Sequence, residues 1–192
     1  MYEVEVKVPA DLEVVSDRLE ALGASRERAI VQADTYYDAP HREFAETDEA
    51  LRIRRESTFG SDVGVARITY KGPLLDDESK SREEFETGVD DGETMAAVLT
   101  NLGFDPAATV RKERERYRLE PDTLEAETPA YPYTITLDAV EDVGEYVEVE
   151  TDVEREADLE PAREGAYTVL ERLDLDPDDQ LRTSYLGLLL DS

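Results

Sequence analysis

Acidic and basic side chains recur in this chain at every second position, and that spacing decides what they could do together. Glu3, Glu5 and Lys7 open the sequence, and Glu148 and Glu150 repeat the carboxylate pair near its end. Carboxylates two residues apart on an extended chain point to the same face, and their hard oxygens suit Mg²⁺ or Mn²⁺. Arg52 with Arg54, Arg67 with Lys71, and Lys112 with Arg114, Arg116 and Arg118 keep to the same even spacing. Guanidinium groups grip phosphate oxygens in pairs, while a lysine ammonium acts as a point charge. Both signs are needed together, because a set of like charges enclosed away from water would be prohibitively costly. If these faces met inside one closed sheet, they could hold a metal-chelated polyphosphate. Any one pair reads equally well as the wet face of an amphipathic strand; six segments with the same logic favour a shared interior.

The elements that must carry these residues are strands, with helices between them. In residues 1–8 the charged face of Glu3, Glu5 and Lys7 is backed by Val4, Val6 and Val8. Asp11 is placed to cap a helix whose Leu12, Val15, Leu19 and Leu22 form one apolar stripe, closed by Gly23 and suited to covering the valine face. Extended segments are expected from Arg28 to Tyr37, over Leu51-Arg52-Ile53-Arg54, and from Gly64 to Gly72. Another runs from Ser81, with Arg82, Glu84 and Glu86 opposite Phe85. The acidic Leu75–Ser79 stretch reads as a loop, and Glu93 to Leu102 as a helix closed by Gly103. Val110 to Leu119 fits either a strand with Lys112, Arg114, Arg116 and Arg118 on one face or a solvated helix with an Arg111–Glu115 pair. Tyr133–Asp138 and Glu145–Thr151 form a hairpin pattern around residues 141–144, and the tail reads as helices over Pro161–Leu173 and Pro177–Leu190. The total is about eight strands in one domain, residues 1–192, with no linker that would divide it.

Charge and composition exclude several functions. The 192 residues carry 49 Asp and Glu against 21 Lys and Arg, a net charge of -28 with the acid spread along the chain. No basic stripe exists for nucleic acid or an anionic membrane. Such an excess is tolerated where molar salt screens it, so a high-salt cytoplasm is the expected setting. The chain has no cysteine, which removes disulfides, thiolate metal sites and cysteine nucleophiles. Its one histidine, His41, falls in a polar turn, so a histidine-based triad or multi-histidine zinc site cannot be built. No apolar signal region or membrane-length run is present, which points to a soluble protein with no membrane partner.

The ordered motifs resemble those of the CYTH, or triphosphate tunnel metalloenzyme, superfamily. The likeness runs from Glu3-x-Glu5-x-Lys7 through Leu51–Arg54, Tyr70-Lys71-Gly72, Arg82–Glu86 and Lys112-Glu113-Arg114 to Gly144–Glu150, nearly the whole chain. This resemblance implies an α+β fold, an eight-stranded antiparallel β-barrel with helices packed outside. It implies a triphosphate held by Lys7, Arg52, Arg54, Lys71, Arg82, Lys112 and Arg114, and Mg²⁺ or Mn²⁺ served by Glu3, Glu5, Asp138, Glu148 and Glu150. Lys7, Glu5 and Glu148 would be catalytic, and Glu86 and Arg116 would line the tunnel. The terminal Ser184-Tyr185-x-x-Leu188-Leu189 is similar to the class IV adenylate cyclase branch, which converts ATP to 3′,5′-cyclic AMP and pyrophosphate. The His-Phe pair that precedes the signature in those cyclases is absent here. A triphosphatase acting on thiamine triphosphate or inorganic triphosphate is therefore the alternative, and a non-catalytic nucleotide or polyphosphate binder is a third reading. The family also suggests a homodimer. Charge reversal at Lys71 or Arg54 is expected to abolish triphosphate binding with the fold intact.

Overall fold

The period-two alternation of charge and apolar bulk becomes eight strands in a computed structural model that describes residues 2–58, 64–75, 82–120 and 131–191. In chain order the elements are β1 (Tyr2–Pro9), α1 (Leu12–Ala21), β2 (Ser25–Asp38), α2 (Phe44–Thr47), β3 (Ala50–Thr58), β4 (Gly64–Leu74) and β5 (Arg82–Val89). Then follow α3 (Gly92–Asn101), β6 (Asp105–Leu119), β7 (Tyr133–Val140), β8 (Gly144–Val153), α4 (Leu159–Arg172) and α5 (Tyr185–Leu190). The strands close into a barrel in the order β1-β5-β4-β3-β2-β6-β7-β8, every neighbouring pair antiparallel. Closure leaves no free edge, so each strand residue faces either the lumen or the outside.

The apolar core lies outside the barrel wall. Val4, Val6 and Val8 are at most 1% exposed, and Val6 and Val8 share one cluster with Val15 and Leu19 of α1 and Val169 and Leu170 of α4. Burying each such side chain stabilises the fold by roughly 1.5–3 kcal/mol, enough to fix which face of β1 turns outward. The main cover of β1 is α4, not α1 as the sequence suggests; α1 lies against β7 and β8. Buried Ala162, Gly165 and Ala166 let α4 approach the wall closely. At the helix ends the expected chemistry is present. Asp11 accepts a hydrogen bond from the Val14 amide, and Gly23 and Gly103 take φ of 80° and 94°, left-handed values that suit glycine just past a helix.

Several boundaries differ from the sequence reading. Residues 105–119 are strand β6, and Glu115 pairs across the sheet with Arg26 instead of along a helix with Arg111. β2 is longer than expected, and α2 was not anticipated. The expected single helix Pro177–Leu190 is broken into a 3₁₀ turn at Pro177–Asp179 and the short α5. Between them the chain is bound to β1: the Leu181 amide donates to the Lys7 carbonyl at 2.8 Å, a bond that a continuous helix would forbid. In the Leu75–Ser79 loop and the approach to β5, residues 76–81 lie outside the described residues.

Candidate active site

The strands of the barrel send their charged faces into one cavity of about 1250 Å³. β1 contributes Glu3, Glu5 and Lys7, and its register with β8 sets Lys7 opposite Glu148 and Glu5 opposite Glu150. β3 brings Arg52 and Arg54, β4 brings Lys71, β5 brings Arg82 and Glu86, and β6 brings Lys112, Arg114 and Arg116. Every sequence-predicted site residue except Asp138 lines this cavity. Asp138 is fully buried behind Arg114, which donates to it through Nε at 2.6 Å and through Nη2.

The opposite charges satisfy each other in a cross-strand network. Arg54 donates two bonds of 2.7 Å to Asp34, and Arg52 reaches the same carboxylate at 3.3 Å. Lys71 bridges Glu3 at 2.8 Å and Glu84 at 2.7 Å. Arg114 also pairs with Glu148, Arg116 with Glu150 at 2.8 Å, and Glu86 accepts from Thr69 and Arg67, each at 2.8 Å. Arg82 donates to the Asp48 carbonyl at 2.7 Å and fastens the turn after α2. The guanidinium Nε donors of Arg52, Arg82 and Arg116 are buried with no hydrogen-bond partner among the described residues. Such orphaned donors favour an anion in the lumen.

The same fold recurs in known proteins. A CYTH domain model matches residues 1–185. A "putative adenylate cyclase" of Methanocaldococcus jannaschii is 36% identical over 189 residues, 98% of each chain. The chain belongs to the CYTH family. Among solved structures, the PH1819 protein of Pyrococcus horikoshii superposes on this CYTH barrel with a TM-score of 0.85 at 35% identity, covering 98% of each chain. A Hippeastrum CYTH-like barrel, named a "putative adenylyl cyclase" with a dominant triphosphatase activity, has a TM-score of 0.64. Its 16% identity, over 99% of this chain and 95% of its own, speaks to the fold alone.

Electrostatics of the CYTH tunnel follow from the pairing. Burial alone would raise Glu3, but the Lys71 ammonium beside it holds the carboxyl at about 2. Burial pushes Glu84, which shares Lys71 with Glu3, up to about 6. Burial likewise raises Glu150, aided by Glu3 and Glu148 and opposed by Arg114 and Arg116. Glu148, which burial would raise, is kept well below the carboxylate range by Arg114, Lys112 and Lys7.

Carboxylates are the right donors for a hard divalent cation, yet no three acidic side chains converge on one point among the described residues. Glu3, Glu148 and Glu150 are each held by a cation, whereas Glu5 makes no hydrogen bond or ion pair among the described residues. Sequence reasoning missed Asp34, the carboxylate between Arg52 and Arg54. The available signal was its place on one face with Gln32 and Tyr36 in the expected second strand. It read Tyr185 as part of the Ser184-Tyr185-x-x-Leu188-Leu189 ending and gave its side chain no role in the cavity, although the hydroxyl donates to Asp138 at 2.9 Å.

Proposed function

We propose that this chain, acting as one domain over residues 1–192, is a class IV adenylate cyclase-like enzyme that converts ATP to 3′,5′-cyclic AMP and pyrophosphate. The observation that carries the reading is the charged barrel cavity of about 1250 Å³, a volume beyond the usual range for small-ligand sites and roomy enough for a nucleoside beside its triphosphate. Support for the cyclase branch comes from the Methanocaldococcus relative and the Ser184-Tyr185-x-x-Leu188-Leu189 ending.

In this reading Lys7, Arg52, Arg54, Lys71, Arg82, Lys112 and Arg114 neutralise the triphosphate and hold it in line. The ribose 3′-hydroxyl attacks the α-phosphorus, the new P–O bond closes the ring, and the bond to the β-phosphate bridging oxygen breaks. The hydroxyl proton leaves to solvent, and the charge developing on pyrophosphate falls on the fixed cations, whose preorganisation lowers the barrier. Glu5, Glu148 and Glu150 would hold Mg²⁺ or Mn²⁺, with Glu3 beside them. Asp138, expected in the carboxylate set from the resemblance, instead orients Arg114 from behind the cavity wall. A divalent ion, when bound, supplies further phosphate neutralisation and template geometry.

Triphosphate hydrolysis is the second reading, since the same cation-lined cavity would take thiamine triphosphate or inorganic triphosphate. The test is incubation of the purified protein in molar KCl with Mg²⁺ or Mn²⁺ and, separately, ATP, thiamine triphosphate and inorganic triphosphate, every product identified by mass. Cyclic AMP with pyrophosphate is expected. Orthophosphate alone would replace the cyclase by a triphosphatase, and binding without turnover would leave only a polyphosphate-binding module.

A further inference from the structure

Lys7 differs from the other lumen cations in what holds it. Arg54, Arg114 and Lys71 each end on carboxylates that are buried or nearly so. Lys7 is only 3% exposed, yet it makes no ion pair with a carboxylate among the described residues. Its Nζ donates to the Thr183 carbonyl at 2.6 Å and lies 4.2 Å from the centroid of the Tyr185 ring. Lys112 approaches the same ring at 4.8 Å but is also paired with the Asp138 carboxylate at 3.6 Å. An aromatic face attracts an ammonium through its quadrupole without cancelling the charge, and a carbonyl does the same through its dipole.

The ring is itself fixed in place. Its hydroxyl donates to Asp138 at 2.9 Å, and Tyr146 packs against it with centroids 5.3 Å apart. Ser184 Oγ accepts from the Gly187 amide at 3.0 Å and starts α5 at Tyr185, while the Leu181 amide ties the segment to β1. Four anchors thus hold a neutral surface against two cations.

We propose that Tyr185 is a positioning residue of the tunnel: its ring, with the Thr183 carbonyl, forms an uncharged cradle that aims the Lys7 ammonium into the cavity and leaves its charge available to an anionic ligand, while Lys112 is held beside it between the ring and Asp138. The identity of that ligand as a triphosphate rests on the proposed function; the placement of the lysines does not. The chain has four lysines, Lys7, Lys71, Lys80 and Lys112, so lysine-labelled protein gives few enough ε-methylene NMR signals to assign by Lys7→Gln and Lys112→Gln.

Ring currents should shift the Lys7 and Lys112 signals upfield in the wild type and in Tyr185→Phe, and the shift should vanish in Tyr185→Leu. Calorimetry with magnesium and inorganic triphosphate in molar KCl should show affinity about 10-fold weaker in Tyr185→Leu and within about 2-fold of wild type in Tyr185→Phe. Unshifted lysines in the folded wild type, or a folded Leu variant that binds like wild type, would overturn the cradle. The wild-type and Phe spectra decide the placement even where the Leu variant does not fold. Shifted lysines in a wild-type protein that fails to bind triphosphate uphold the cradle and overturn the substrate instead.

Discussion

Lys112 and Arg54 face the same cavity, and their surroundings give them opposite behaviour. Burial and the adjoining Arg114 lower Lys112 from its ordinary 10.5 to about 8, with Asp138 and Glu148 pulling the other way. Because the folded value lies below the unfolded one, the charged lysine opposes folding below about pH 8, and that penalty is relieved as pH rises toward 10.5. Ligand binding runs in the reverse sense, since only the ammonium attracts a phosphate. Affinity for inorganic triphosphate, measured by calorimetry in molar salt, should therefore fall as pH rises through about 8, and Lys112→Arg should hold its affinity to higher pH. A wild-type affinity that stays flat across that range would remove Lys112 from the binding set. Arg54 is already satisfied by Asp34, which is 1% exposed. Charge reversal there sets two buried carboxylates against each other, at a cost of about 3–5 kcal/mol, so loss of stability is expected beside the loss of triphosphate binding that the sequence suggests. Arg54→Glu should lose its cooperative melt, whereas Lys7→Gln should lose triphosphate binding with little change in Tm.

Among the elements, α4 shows how a helix is chosen for its fit to the barrel instead of for its propensity. A Cβ on Gly165 would come within 1.9 Å of Tyr133 Oη, the hydroxyl that donates to the Ala162 carbonyl at 2.9 Å. Gly→Ala in a helix interior ordinarily gains about 1 kcal/mol. Here the clash is with a buried phenol fixed in the barrel wall, and overpacking costs about 1–3 kcal/mol in addition to the lost hydrogen bond. Gly165→Ala should thus lower the thermal midpoint, and a raised midpoint would show that α4 has room to retreat. The break between Pro177–Asp179 and α5 has the same origin: residues 180–184 forgo helical bonds because β1 and Lys7 supply better-placed partners.

Taken whole, the molecule separates two electrostatic regimes. Its net charge of -28 is carried largely by exposed carboxylates, while the barrel interior pairs both signs at contact distance. Screening acts on the first and scarcely on the second, because the Debye length shrinks from about 10 Å at 0.1 M to about 3 Å at 1 M salt. The thermal midpoint should rise steeply as KCl is raised from 0.1 to about 2 M and then level off. A midpoint independent of salt would mean that surface repulsion is not what limits stability. No helix among the described residues is long and apolar enough to cross a membrane.

How much was legible in the sequence follows from the range of each interaction. Alternation is local, so the inward face of Glu3, Glu5 and Lys7, and that of Arg52 and Arg54, could be read from neighbours two residues away. For residues 110–119 the same charges served helix and strand equally, and pairing with β2 and β7 decided for the strand. The pairing of charges was out of reach. Asp34 meets Arg54 and Arg114 meets Asp138 only through strand register, and Lys7 meets Thr183 across 176 residues. Sequence by itself determined which face of each strand carries the charged side chains; only closure of the barrel decided which of them reach the cavity, which neutralise one another and which charge is left for a ligand, because cross-strand register, not local periodicity, sets those distances.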